Sequence, residues 1–417
     1  MAQLSDDCFA HGGRLMSTAE ALELLAEKTV AVTGTETLPL TEALGRILAE
    51  DIRAGHDVPP ADNSAVDGYA VHFDDLSPDA ETRLPLAGRI TAGHPSEAPV
   101  PRGRAVRIFT GAQMPPGPDT VMMQEDCREE DGQVVIRPGI KRGANRRLRG
   151  EDIEAGRTVL RRGARLRPQD LGQAAATGRN EILVQAPLRV ALFSTGDELR
   201  EPGTAAEPGA IYDSNRFTLA GLLAGLGCRV EDLGILEDRA GVVEAALAGA
   251  AEGHDLIVTS GGVSVGEEDH VKQAVEKLGH LHLWRLAIKP GRPIAFGQVG
   301  QVPFVGLPGN PVAVMVTFMN VVRPLILRLM GATEVAPRRF PVRAAFAHRK
   351  KAARREWLRV RLEPAEGGGW LAHKFPREGA GILSSMVESD GLVELPEDVT
   401  ELAPGTTVEF LPFSEVS

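Results

Sequence analysis

The sequence predicts a multidomain protein of α/β plus β class, and three observations carry that expectation. From Leu188 onward, apolar strand-like runs alternate with helix-like runs, the pattern of a doubly wound parallel sheet covered on both faces. Between Asp57 and about Val135 the chain breaks into short β-rich pieces punctuated by Pro, Gly and Asp. Beyond Pro337 it turns β-like again, in "FPVRAAFAHRK", "EWLRVRLEP" and "GTTVEFLPF".

Taken in order, "MSTAEALELLAEKTV" predicts a helix, with Ser17 as cap and Glu20 completing a capping box. "LTEALGRILAED" predicts a second short helix capped by Thr41, and "PQDLGQAAATG" a third that would pair with the first two. The expected organisation is a discontinuous helical domain (16–55 and 143–187), an inserted β-rich domain (56–142), an α/β domain (188–334) and a C-terminal β-domain (335–417). Within the α/β region the expected strands are "LRVALFST", "CRVEDLGIL", "DLIVTS", "HLHLWRLAI", "RPIAFGQV" and "VPFVGL". The expected helices are "NRFTLAGLLAGLG", "AGVVEAALAGAAEG", "EDHVKQAVEKLG" and "NPVAVMVTFMNVVRPLILRLMG".

Composition narrows the function classes. A net charge of −11 argues against broad phosphate neutralisation on a nucleic acid. Cys8, Cys127 and Cys228 are odd in number and far apart, so neither a disulfide framework nor a zinc knuckle is expected. His280 and His282 read as surface residues of a strand. The acidic N-terminus does not resemble a signal peptide, and "PVAVMVTFMNVV" is short for a bilayer span. A cytoplasmic protein without a membrane partner is the expectation.

Ligands of such sheets bind at the carboxyl ends of the strands, where six polar or Gly/Pro-rich loops fall. They are "STGDEL" (Ser194, Thr195, Gly196, Asp197, Glu198), "YDSN" (Asp213, Asn215), "LEDR" (Asp238), "SGGVSVGEED" (Ser260, Gly261, Gly262, Glu267, Asp269), "KPGRP" (Lys289, Arg292) and "GLPGNP" (Pro308, Gly309, Asn310, Pro311). Taken alone, "YDSN" reads better as a helix cap, "LEDR" is a common turn, and "KPGRP" is equally a solvated turn or an oxyanion site. "SGGVSVGEED" places adjacent glycines, suited to phosphate, beside three carboxylates. That pairing makes sense if Mg²⁺ sits between them, since Mg²⁺ is held by one or two carboxylates plus substrate phosphates. Glu267 or Asp269, with Asp197 and Glu198 opposite, would bind the metal. No phosphate-binding G-x-x-x-x-G-K-[ST] loop and no dinucleotide fingerprint occurs. In the insertion, "PPADNSAVDGYAV" offers Asp62, Asn63, Ser64 and Asp67, and "IFTGAQMPPG" offers Thr110, although turn formation accounts for about half of these. "KRGANRRLRGED" reads as a solvated charge run or a receiver for an anion.

Together "DNSAVDGYAV", "TGAQMP", "RGEDI", "STGDEL", "IYDSN", "SGGVSVGEED", "LAIKPGRP" and "GLPGNPV" resemble the molybdopterin molybdenumtransferases, the MoeA-like enzymes similar also to the C-terminal half of gephyrin. The resemblance runs from about Thr18 to the C-terminus. It implies Mg²⁺-dependent cleavage of adenylated molybdopterin, insertion of molybdate and release of AMP and molybdenum cofactor. It also implies a homodimer whose cleft lies between the α/β domain of one subunit and the insertion of the other. The carried-over site residues are Glu198, Asp269, Asp238, Asp62, Thr110, Asp152, Pro308 and Pro311, with Glu198, Glu267 and Asp269 at the metal. Lys289 and Arg292 are assigned to phosphate or molybdate. Partners in prospect are a molybdopterin adenylyltransferase and apo-molybdoenzymes. Ala313 departs from the family, which often has Ser after "GNPV". The rivals are a molybdopterin adenylyltransferase itself and a non-catalytic pterin carrier or gephyrin-like scaffold.

Overall fold

A computed structural model describes residues 15–262 and 270–416. Its central sheet has seven strands: β1 (Leu15–Met16), β2 (Arg189–Thr195), β3 (Arg229–Leu236), β4 (Leu256–Ser260), β5 (Gly279–Leu286), β6 (Pro293–Val299) and β7 (Val302–Leu307). They lie in the order β1-β5-β6-β7-β4-β2-β3. The longer helices are α1 (Thr18–Lys28), α2 (Pro168–Ala176), α3 (Asn215–Gly225), α4 (Ala240–Gly253), α5 (His270–Leu278) and α6 (Pro311–Leu329).

Side chains alternate across a strand, and β2 shows what that does here. Val190 and Leu192 enter one core with α1, α3 and α6, while Ala191 and Phe193 enter another with α4 and α5. Both faces are covered, so the strand is apolar throughout. Each such fully buried Val, Leu or Phe stabilises the fold by about 1.5–3 kcal/mol relative to exposure. The expected all-parallel sheet needs one correction. Strand β6 runs antiparallel to both β5 and β7, because the connections on either side of it are hairpin-length and parallel neighbours need a long crossover. The other strand ends still point the same way, so the loops after β2, β3, β4, β5 and β7 share one edge.

Ser17 and Glu20 form the expected capping box on α1. The second expected helix is absent. Leu40–Glu42 is a single 3₁₀ turn with Thr41 inside it, Gly45 takes the left-handed φ of +76°, and Ile47 and Leu48 bridge to Arg165 and Val184. Burial of Ile47 and Leu48 against those segments overrides the local helical spacing. The two halves of this discontinuous region meet through strand pairs, Thr35–Pro39 with Glu181–Gln185 and Ile52–Arg53 with Thr158–Leu160. Alongside α2 it is therefore richer in β-structure than its sequence suggests, and α1 packs Ala21 and Leu25 into the α/β core.

Helix α6 is long and apolar enough to cross a membrane, yet 89% of its most apolar window is buried in the core. It widens to a π-type turn at Phe318–Val322 just before Pro324, where the ring cannot accept a regular preceding turn. The insertion forms a six-stranded sheet. In the C-terminal region, strands Arg355–Pro364, Trp370–Lys374, Phe340–Ala344, Thr407–Pro412 and Gly391–Leu395 close on themselves, through the pairing of the first with the last, into a barrel. Ile288–Lys289, the start of "KPGRP", pairs with Arg355–Glu356 of that barrel.

Candidate active site

Two cavities adjoin at the carboxyl edge of the sheet, sharing Gly261 and Gly309 in their walls. The smaller, about 80 Å³, is lined by Ser194, Thr195, Glu198, Asp213, Asn215, Ser260 and Pro311. Gly261 and Gly262 have φ of +89° and +62°. A Cβ on Gly261 would lie 2.6 Å from the Thr195 carbonyl oxygen, and one on Gly262 would lie 2.6 Å from Val271 Cγ2. Only glycine lets this loop pack so closely on β2.

Asn215 ties the small cavity together. Its Nδ2 donates to Ser260 Oγ and to the Gly309 carbonyl, each at 2.8 Å, and Ser260 Oγ donates to the Pro308 carbonyl at 3.2 Å. Three loops are thereby fixed by one amide. The capping reading of "YDSN" holds for Asp213, which accepts the Arg216 backbone N–H at 3.2 Å and its Nε at 3.1 Å. Asp213 is thus committed to the buried Arg216 and is not a free ligand donor. Ser194 Oγ, Thr195 Oγ1 and Asn215 Oδ1 are buried without a hydrogen-bond partner, and buried polar atoms are rarely left so. Their cluster beside the glycine turn marks where ligand oxygens and donors fit. Glu198 Oε2 lies 2.7 Å from the point where a Cβ on Gly196 would stand, so Gly196 gives this carboxylate its room.

The larger cavity, about 610 Å³, is walled by the "SGG", "KPGRP" and "GLPGNP" loops on one side and by the barrel on the other. Lys289, read as an anion binder, is paired: its Nζ lies 2.5 Å from Glu356 and 3.3 Å from Glu378. Glu356 is 1% exposed. Hydrogen bonding from Lys374, with Lys289 beside it, holds the Glu378 carboxyl down at about 2. Arg292, exposed on the same loop, makes no ion pair among the described residues and lines the cavity. The barrel adds Arg354 Nε and Trp357 Nε1, both buried without a partner and both from lining residues. Sequence reading missed Arg354, Glu356, Trp357 and Glu378. Ala313 also lines this cavity, placing a methyl where a hydroxyl would otherwise stand.

The remaining assigned residues lie elsewhere. Asp62 accepts the Arg149 N–H at 2.8 Å and sits 3.4 Å from Arg146. Thr110 donates both its N–H and its hydroxyl to Asp67 Oδ1 at 2.8 Å, which holds the Asp67 carboxyl below its ordinary range. Asp152 is exposed and Asp238 half-buried, and none of Asp62, Thr110, Asp152 or Asp238 lines either cavity. Three of the five cations in "KRGANRRLRGED" are neutralised internally, Arg142 by Asp119, Arg146 by Asp62 and Arg149 by Asp57. Glu267 and Asp269 lie outside the described residues. Burial pushes the thiols of Cys127 and Cys228 up to about 12, so neither is poised as a nucleophile.

Three family descriptions match in succession: the MoeA N-terminal region (domain I and II) over residues 16–178, a probable molybdopterin binding domain over 191–328, and the MoeA C-terminal region (domain IV) over 341–413. A molybdopterin molybdenumtransferase of Haemophilus influenzae is 40% identical over 96% of this chain and 100% of its own length. The chain belongs to the molybdopterin molybdenumtransferase family. One of Nostoc sp. is 34% identical over 94% of the chain and 92% of its own length. A crystal structure of the molybdopterin biosynthesis moeA protein from Pyrococcus horikoshii OT3 superposes with a TM-score of 0.81 at 29% identity, covering 96% of this chain and all of that one. Because the family match spans insertion, α/β unit and barrel alike, the large cavity at the α/β–barrel junction lies between two matched regions.

Proposed function

We propose that the protein inserts molybdate into adenylated molybdopterin in a Mg²⁺-dependent reaction, releasing AMP and molybdenum cofactor. The carrying observation is the pair of adjoining cavities with different chemistry. One offers a carboxylate, hydroxyls and close glycine backbone, and the other offers guanidinium and indole donors. The pyrophosphate link belongs to the first and the oxyanion to the second.

Among the described residues no three metal-ligating side chains cluster, but Glu198 fits as one hard oxygen donor, unpaired with any cation and open beside the orphaned hydroxyls of Ser194 and Thr195. Glu198 would hold Mg²⁺, with Glu267 and Asp269 as its sequence-assigned companions. When bound, the metal supplies charge neutralisation at the pyrophosphate oxygens. The chain's own contributions are positional and electrostatic. Gly261 and Gly262 bring backbone close to phosphate, Asn215 fixes the three loops, and Arg292, Arg354 and Trp357 orient the oxyanion at the shared wall.

The working unit on this reading is a homodimer in a reducing cytoplasm, where free Cys127 and Cys228 persist. Asp62 and Thr110 would complete the partner's cleft, since neither lines the small or the large cavity of its own chain. The adenylated substrate is handed on by an adenylyltransferase and the product passes to apo-molybdoenzymes. The test supplies adenylated molybdopterin, Mg²⁺ and molybdate and follows AMP release and activation of an apo-molybdoenzyme. Molybdate-dependent AMP release that Asp269→Asn or Glu198→Gln abolishes supports the proposal. Adenylation of free molybdopterin with ATP instead makes the protein an adenylyltransferase, and pterin binding with neither reaction makes it a carrier. Mixing inactive Thr110→Val with inactive Glu198→Gln tests the shared cleft. Random C2 exchange should restore about a quarter of the sites, whereas a cleft within one chain restores none.

A further inference from the structure

We infer that Arg89 and Arg107 of the inserted sheet form a phosphate-binding patch that takes the pyrophosphate-bearing substrate, an inference that rests on the transferase reading and on Thr110 facing the cleft. The strand Thr82–Ile90 runs parallel to Ala105–Ile108, with Leu86 opposite Ala105 but Arg89, not Gly88, opposite Arg107. One extra residue is inserted, and Gly88 takes a φ of +142° to accommodate it. Side chains alternate faces along a strand, so without this bulge Arg89 would point away from Arg107. Bulges of this kind re-aim side chains. Here the result is a row across the sheet of Arg89, Arg107, Tyr69 and Met122, each opposite the next.

Like charges directly opposite on neighbouring strands destabilise a sheet. Neither of these two makes a direct ion pair among the described residues. Arg107 donates to the neutral Gln124 Oε1 at 2.6 Å. Neither nearby carboxylate bonds to them: Asp67 is hydrogen-bonded by Thr110 and acts on Arg107 only through its charge at longer range, and Glu129 accepts from the Tyr69 hydroxyl at 2.7 Å. Both guanidiniums instead gather on Phe109, at 4.5 Å and 5.0 Å from its ring centroid, and Arg107 also lies 4.8 Å from that of Tyr69. Ring faces hold cations in place but bring no counter-charge. The outcome is two oriented guanidinium forks without a direct ion-pair partner among the described residues, the geometry that suits phosphate oxygens. They flank the residue that precedes Thr110, the insertion's own candidate site residue. No cation lines the small cavity, and Arg216, bonded to its Asp213 wall, is buried among Asp213, Asp232 and Glu201.

The test uses the full-length protein with Arg89→Ala, Arg107→Ala, the double variant and Arg107→Lys. Inorganic pyrophosphate is titrated without Mg²⁺, and AMP release from adenylated molybdopterin is followed in parallel. Each alanine should weaken pyrophosphate binding and raise KM by about tenfold, with the effect on KM and not kcat, and the lysine variant should fall between. The melting temperature of Arg89→Ala should hold or rise, because cross-strand repulsion is relieved, whereas a purely structural role would lower it. Active wild type with unaltered KM and pyrophosphate affinity in the double variant overturns the patch and leaves the transferase reading intact. If wild type releases no AMP, that reading fails and the titration alone judges the patch. Weakened pyrophosphate binding in the variants then sustains a phosphate site, and unchanged binding removes it.

Discussion

The small and large cavities stand side by side, sharing Gly261 and Gly309, yet they are made in different ways. Every wall of the small one comes from loops of the central sheet, each at the end of a strand or the start of a helix. More than a third of the large one's lining comes from the C-terminal barrel region, whose strands begin more than thirty residues after the loop they meet. The difference shows in the charges. In the small cavity Glu198 stands free and the structural acid, Asp213, is locked to a buried arginine. In the large one Lys289, the cation expected to hold an anion, is held by barrel carboxylates, and the free donors are those of Arg292, Arg354 and Trp357. A loop's residues therefore do not reveal its electrostatics until its packing partner is known.

The sharpest way to break the comparison is Glu198→Gln. If the small cavity performs the bond cleavage, kcat for AMP release should fall by about 10²–10³-fold with the melting temperature unchanged, and an unchanged kcat would remove the assignment. Arg354→Ala should act on the other side of the wall. It should raise the half-saturating molybdate concentration by about 10–100-fold, the loss of one charge-assisted hydrogen bond, and leave the affinity for adenylated pterin in place. Equal effects on both substrates would mean the two cavities are one site. Asn215→Ala tests the tie between them. Loss of its bonds to Ser260 and Gly309 should lower unfolding stability by about 1–3 kcal/mol, read by chemical denaturation, together with lower activity.

The smallest effect concerns the Lys289 clamp. Glu378 has a folded value of about 2 against an ordinary 4.5. Its contribution to stability is therefore present above about 4.5 and lost as pH falls toward 2. Glu378→Gln should be less stable than wild type at neutral pH by no more than about 1 kcal/mol, as half-exposed pairs are. The gap between the two unfolding midpoints should close on acidification, and a gap that persists at low pH would mean that something other than the Lys374–Glu378–Lys289 charges is at work.

Much was determined by sequence alone. The alternation of apolar runs specified the strands β2 to β7 and the helices between them, because a strand buried on both faces and a helix buried on one leave distinct periodicities. The six loops at the carboxyl edge followed from that order, as did the Ser17 and Glu20 cap, which depends only on residues three apart. What tertiary structure decided were the matters that depend on residues distant in the chain. The stretch after Leu40 has helical spacing, but Ile47 and Leu48 find partners at Arg165 and Val184 and bridge to them instead. The reversal of β6 follows from hairpin lengths on both sides, which an apolar run cannot signal. Lys289 met Glu356 only because its loop adds a strand to the barrel, and Arg89 met Arg107 only through a single-residue bulge. Local periodicity records which face of an element is buried. It does not record what is buried against it, and in this protein that second fact sets the charge of the site.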